Sequence, residues 1–120
     1  MKKAVWVIMA VALLGLIYGC SKVVQTPVST DKVMITEKGF VPPVIRVSVG
    51  TTVTWENADT KPHAIWCQRP GATSEPIFLL FDSGKLLPKE KFKFKFTEVG
   101  QFRYRNRYYD WMSGTVIVTY

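Results

Sequence analysis

From Lys32 to Tyr120 apolar and polar residues alternate one by one, not at the three-to-four spacing of a helix. Ile45, Val47 and Val49 are separated by Arg46 and Ser48, and after a turn at Gly50 the residues Val53, Trp55 and Asn57 are separated by Thr54 and Glu56. Phe92, Phe94 and Phe96 alternate with Lys91, Lys93 and Lys95, and past Val99-Gly100 the residues Phe102 and Tyr104 alternate with Arg103 and Arg105. A period of two sends successive side chains to opposite faces, so each segment predicts a strand with one buried and one wet face. Residues 114–120 add a closing run rich in β-branched side chains. No window in this stretch keeps a helical period for three turns, and the simplest prediction is an all-β antiparallel sandwich closed by its last strand. Residues 68–81, with Pro70, Gly71 and Pro76, show no alternation and predict a loop or a distorted strand.

The start of the chain follows another rule. Lys2 and Lys3 precede an uncharged run over residues 4–17, and Tyr18-Gly19-Cys20 places a small residue just before a cysteine. A basic start, an apolar stretch and a small residue at the junction compose an export signal. The apolar run falls short of the ~20 residues that span a bilayer. The Leu16-Ile17-Tyr18-Gly19-Cys20 junction resembles a bacterial lipoprotein signal, which implies cleavage after Gly19 and a lipid on the Cys20 thiol. Residues 1–19 are then a signal peptide, residues 20–31 a polar lipid-anchored tether, and residues 32–120 one domain facing the periplasm or the cell exterior.

Composition narrows the chemistry. The chain has 120 residues, 48% of them hydrophobic, and a formal net charge of +7, which fits one globular domain with an ordinary core. Its 2 cysteines cannot make a dense disulfide framework. With 1 histidine, no site built on two imidazoles can form within one copy. There is no Gly-rich phosphate loop and no histidine near a Ser or Cys in a nucleophile arrangement, so the expectation is a protein that is not an enzyme. Nucleic acid is not expected as a partner of an exported chain, whatever its charge.

A more specific resemblance lies in the order of short motifs. Phe40-Val41-Pro42-Pro43, Ile45-Arg46-Val47, residues 50–57, Asp59, Pro62-His63, Phe81-Asp82-Ser83-Gly84, Phe94-Lys95-Phe96, residues 100–104 and residues 112–116 follow one another as in the plastocyanin-like cupredoxins. The resemblance covers nearly the whole domain and implies a Greek-key β-sandwich of about eight strands. It also implies where a copper would sit: one ligand at His63, and the others from a Cys-x-x-His-x-x-Met loop before the last strand.

That loop reads Asn106-Arg107-Tyr108-Tyr109-Asp110-Trp111-Met112. Asn106 stands where the resemblance implies the thiolate and Tyr109 where it implies the second imidazole, leaving His63 and Met112 as the metal-site candidates. A blue site depends on a copper–thiolate bond with two imidazoles, which neither an amide nor a phenol replaces. Arg105 and Arg107 flank the altered position and add positive potential. Cys67 and Asp110 are the remaining donors for a non-blue copper site. In a regular strand Cys67 and His63 lie about 13 Å apart at ~3.3 Å per residue, and the plain reading of Cys67 is a small buried side chain. An intermolecular disulfide is a third reading of that thiol. The plain reading of His63 is a capping or loop histidine hydrogen-bonded to a carbonyl, Asn57 or Asp59. Met112 reads as packing among rings, and Asp110 as a surface acid facing Arg105 or Arg107.

Lysines at 85, 89, 91, 93 and 95 read as a solvated strand face that guards an edge. The aromatic loop with Tyr108, Tyr109 and Trp111, beside Arg105 and Arg107, is a candidate interaction surface for a protein partner. The expectation is a membrane-tethered cupredoxin-fold binding module with a degenerate type 1 site and no cofactor. The alternative is copper handling or electron transfer through a non-blue site built on His63, Met112 and Cys67 or Asp110.

Overall fold

The computed structural model describes residues 25–71 and 79–120. The predicted signal peptide and Cys20 lie outside the described residues. Ten strands are described: β1 (Val28–Ser29), β2 (Lys32–Thr36), β3 (Gly39–Val41), β4 (Val44–Ser48), β5 (Thr52–Asn57), β6 (Ile65–Gln68), β7 (Leu79–Asp82), β8 (Lys91–Lys95), β9 (Gly100–Asn106) and β10 (Ser113–Thr119). They form a six-stranded sheet in the order β1-β4-β10-β9-β6-β7 and a four-stranded sheet in the order β3-β2-β5-β8. The all-β sandwich is therefore as expected.

The pairing differs from a purely antiparallel sandwich. β1 with β4, β4 with β10 and β2 with β5 are parallel. Consecutive strands often belong to opposite sheets, so neighbours within a sheet are joined by crossings and not only by hairpins. One such crossing is the turn after β4, where Gly50 adopts φ +92° and donates its N–H to Phe96 O at 2.7 Å. The polar segment 20–31 is not all tether, since Val28 and Ser29 pair with Ile45 and Arg46 and Thr54 N–H donates to Asp31 O. A β-branched residue beside an open edge of β4 gains a ladder by joining it.

Alternation delivers the core as predicted. Val53, Trp55, Phe96, Phe102, Tyr104, Val116 and Val118 are buried between the sheets. Trp55 is its centre, with ring centroids 5.2 Å from Phe81 and 5.3 Å from Tyr104. Gly114 faces Tyr104 across the β9–β10 ladder, and a Cβ there would lie 2.3 Å from Tyr104 Oη. The aperiodic region holds the end of β6, a register shift between Cys67 and Gln68, and the short β7.

Candidate functional site

Three segments meet at one pole of the sandwich. After β5 the chain runs through Asp59 to His63, β9 ends at Asn106, and the turn before β10 brings Tyr109 and Met112. Asn57, the last residue of β5, fixes the first segment: its Nδ2 donates to Lys61 O at 2.8 Å and Leu86 O at 2.9 Å, and its Oδ1 accepts from Asp59 N–H. His63 is held by a two-way backbone bridge with Leu86. The loop before β10 folds back on itself, with Met112 N–H donating to Tyr109 O and Asn106 N–H to Met112 O, each at 3.0 Å.

The converging side chains are among the most buried of the described residues: His63 is 1% exposed, Asn106 2% and Met112 2%. Asn106 connects them. Its Nδ2 lies 2.8 Å from His63 Nδ1 and 3.4 Å from Met112 Sδ, while its Oδ1 accepts Tyr108 N–H at 2.9 Å. A backbone N–H can only donate, so Tyr108 fixes which end of the amide is oxygen. The amide N–H groups then point at Nδ1 and Sδ, and Nδ1 must be an acceptor. The ring proton is left on Nε2, which donates to Asp59 Oδ2 at 2.8 Å. That bond from His63, with the N–H of Thr60, holds the Asp59 carboxyl below its ordinary value.

Other predicted residues fall elsewhere. Tyr109, at the position implied for a second imidazole, is half-buried and lies over His63 with ring centroids 5.3 Å apart. It therefore covers the site more than it offers a docking surface. Tyr108 and Trp111 are exposed, at 50% and 62%. A cavity of about 60 Å³ opens between Trp111, Tyr109, Met112, His63, Asp59, Lys61 and Glu37. Arg105 is exposed, and Arg107 forms a salt bridge with Asp82 and sits over Trp66, so neither arginine enters the altered ligand position and Arg107 is not balanced by Asp110. Arg105 takes its place in an outward row along β9. Asp110 is exposed.

Cys67 is not brought to His63. It is fully buried opposite Tyr104 in the β6–β9 ladder, and its thiol donates toward Arg103 O at 3.2 Å and Gln68 O at 3.4 Å. Tyr104 is two residues before Asn106, about 6.6 Å along a strand. Burial pushes the Cys67 thiol up to about 12, which disfavours the thiolate a metal or a disulfide partner requires. A small buried residue is the reading its surroundings support, against both metal ligation and an intermolecular disulfide.

Sequence reasoning treated Asn106 as a loss and missed it as a replacement. The signal was present in the alternation: Phe102, Tyr104 and Asn106 share the inward face of β9, and a buried amide must find partners.

The copper implied by the resemblance can be tested against these donors. A type 1 ion needs a thiolate and two imidazoles. Here the thiolate position holds a neutral amide, the second imidazole position holds a phenol, and the remaining nitrogen and sulfur already accept N–H groups from Asn106. Among the described residues no three His, Cys, Asp or Glu side chains gather as a metal cluster. The residues do not fit a type 1 copper.

No protein-family model matches the sequence, and no curated protein matches it. Solved structures do. A purple cupredoxin from Nitrosopumilus maritimus is 28% identical over 75% of this chain and 100% of its own, with a TM-score of 0.66. A reduced variant of amicyanin is 25% identical over 81% of this chain and 86% of its own, with a TM-score of 0.62. A copper-containing nitrite reductase from Thermus scotoductus is 24% identical over 84% of this chain but only 24% of its own, with a TM-score of 0.62. The fold is thus one found in copper-containing proteins. With its sandwich matched along the entire length of a small purple cupredoxin, this chain has the cupredoxin fold.

Proposed function

We propose that this chain is a non-enzymatic binding module of the cupredoxin fold in which the Asn106 amide occupies the metal position. The observation that carries the reading is the contact of one atom, Asn106 Nδ2, with both His63 Nδ1 at 2.8 Å and Met112 Sδ at 3.4 Å. An N–H group offers those acceptors a partial positive charge, as a cation would, and closes the pole without metal. The rigid pole then presents Tyr108 and Trp111 to a protein partner, two amphipathic rings of the kind enriched at binding surfaces. The basic, apolar and small-residue pattern before Cys20 supports export and a lipid tether on that cysteine, with the domain held outside the cytoplasm.

The convergence of Nδ1 and Sδ also favours a second reading, in which a soft cation such as Cu(I) displaces the amide and binds His63 and Met112 with further donors such as Asp110. Metal analysis and copper titration of the purified protein separate the two. The amide reading predicts no stoichiometric copper and no intense visible band. One equivalent of copper, lost in His63→Ala, would overturn it in favour of copper handling. For the docking surface, Trp111→Ala and Tyr108→Ala are predicted to abolish crosslinking of the membrane-tethered chain to its partner while leaving the fold intact. Unchanged crosslinking in both variants would remove this surface from the proposal.

A further inference from the structure

A second concave site lies away from the pole. The alternation that sends Phe102, Tyr104 and Asn106 inward along β9 sends Gln101, Arg103 and Arg105 outward. On the neighbouring β6, Trp66 and Gln68 are the outward pair, and the register sets Trp66 between Arg105 of β9 and Asp82 of β7. Together with Arg69 they line a groove of about 310 Å³ on the outer face of the six-stranded sheet: Trp66, Gln68, Arg69, Gln101, Arg103 and Arg105. None of its described lining residues is acidic.

The charges in this groove are not explained by the fold. Arg107 is neutralised by Asp82 as its guanidinium lies 5.4 Å from the Trp66 ring centre. Arg69, Arg103 and Arg105 form no salt bridge among the described residues. Among the described residues the one side-chain bond of Arg103 is a long one, Nη2 to Ser113 Oγ at 3.4 Å. Lysines on β8 have a structural reason, because β8 is the open edge of the four-stranded sheet. β9 is an interior strand between β6 and β10 and needs no such guard. Like charges gathered in one concavity cost stability unless a ligand of opposite charge uses them.

Guanidinium forks match the planar oxygens of phosphate, sulfate and carboxylate groups in pairs. Arg103 and Arg105 are two residues apart on one strand, about 6.6 Å, which suits two oxyanion groups better than one. The volume is at the small end of ligand sites, and the indole with two neutral amides suits a hydroxyl-bearing ring. We propose that this groove binds a small ligand with two oxyanion groups, of the phosphate-ester or acidic-sugar class, with Arg69, Arg103 and Arg105 on the oxyanions and Trp66 against the ring. The proposal is independent of the metal position, with which the groove shares no residue.

The test titrates the full chain in a neutral detergent with inorganic pyrophosphate and, separately, with digalacturonate. Calorimetry is combined with the indole N–H resonance of Trp66, assigned through Trp66→Phe. At least one probe is predicted to shift that resonance, with affinity falling roughly tenfold or more in Arg103→Gln/Arg105→Gln and unchanged in Lys93→Gln/Lys95→Gln, which removes the same charge from the other sheet. Tighter binding of pyrophosphate assigns the phosphate-ester class, and tighter binding of digalacturonate the acidic-sugar class. Three outcomes overturn the proposal: no shift with either probe, equal weakening in both double variants, or a response only to phosphatidylglycerol vesicles.

Discussion

Replacing Asn106 by alanine removes the amide that ties the pole together, and the structure sets the size of the effect. The substitution deletes the donors to His63 Nδ1 and Met112 Sδ and the acceptor of Tyr108 N–H. His63 is 1% exposed, so water cannot readily replace the lost partner. A buried acceptor left unsatisfied costs about 1–3 kcal/mol, and the bond to Tyr108 is worth about 1 kcal/mol net. The sulfur bond is weak, and the space left by the carboxamide adds about 1 kcal/mol. The expected loss is about 3–5 kcal/mol, or a fall in Tm of roughly 12 °C or more for a domain of this size. Urea unfolding followed by tryptophan fluorescence measures it. Asn106→Asp provides the control, because it keeps the shape and the Tyr108 bond but turns the donor into an acceptor facing Nδ1. Its deficit is predicted to shrink as pH falls and a proton enters between the two, while the Asn106→Ala deficit has no such proton to regain. A loss below about 1 kcal/mol for Asn106→Ala would refute the reasoning, since a hydrated, open pole is what permits so small a cost.

Further expectations follow from the same geometry. Gly114→Ala is predicted to destabilise the domain by about 3 kcal/mol or more in thermal unfolding, and Tyr104→Phe should not rescue it because Tyr104 Cζ would still lie 2.4 Å from the new Cβ. Asp59 is held below its ordinary value by the bond from His63, and Asp82, despite the opposing effect of burial, by Arg107 and the Gly84 N–H. Lowered folded values mean stability that is present above the ordinary carboxylate range of about 3.9 and lost as pH falls below it. An acid titration should show that loss, and Asp59→Asn/Asp82→Asn should flatten it. Cys67 is fully buried with its thiol pushed up to about 12, so in Cys20→Ser, where it is the one remaining thiol, an aromatic disulfide reagent should react with the denatured chain but not with the native one; fast native labelling of that variant contradicts its placement. Asn106→Cys/Tyr109→His returns the loop donors implied by the family pattern, and a blue colour with Cu(II) is expected; a colourless product would show that the loop geometry has also changed.

Much of the sandwich was legible because burial on one face imposes a period of two. Phe92 to Phe96 and Phe102 to Tyr104 reveal β8 and β9, and the structure places the lysine row of β8 and the arginine row of β9 on different sheets. Parallel pairing of β2 with β5 and of β4 with β10 was not legible, because it depends on crossings between sheets and leaves no local pattern. β1 was hidden by polar neighbours, since a two-residue strand is too short to show alternation. At the site, sequence identified His63, Met112 and the altered positions Asn106 and Tyr109. It did not reveal that Asn106 would bond both survivors, because that bond joins residues 43 positions apart. Arg105 and Arg107 looked like neighbours of the site along the chain, yet Arg105 takes the outward face of β9 and Arg107, just past its end, pairs with Asp82, which removes both from it.

The chain's 1 histidine makes the central claim measurable at a single ring. The decisive measurement is the imidazole ¹⁵N spectrum of His63 while Cu(I) is added under reducing conditions. The account predicts a hydrogen on Nε2, an unprotonated Nδ1 accepting from Asn106, and both signals unchanged through one equivalent of metal. A hydrogen on Nδ1, or a stoichiometric shift of Nδ1 as copper enters, would contradict it.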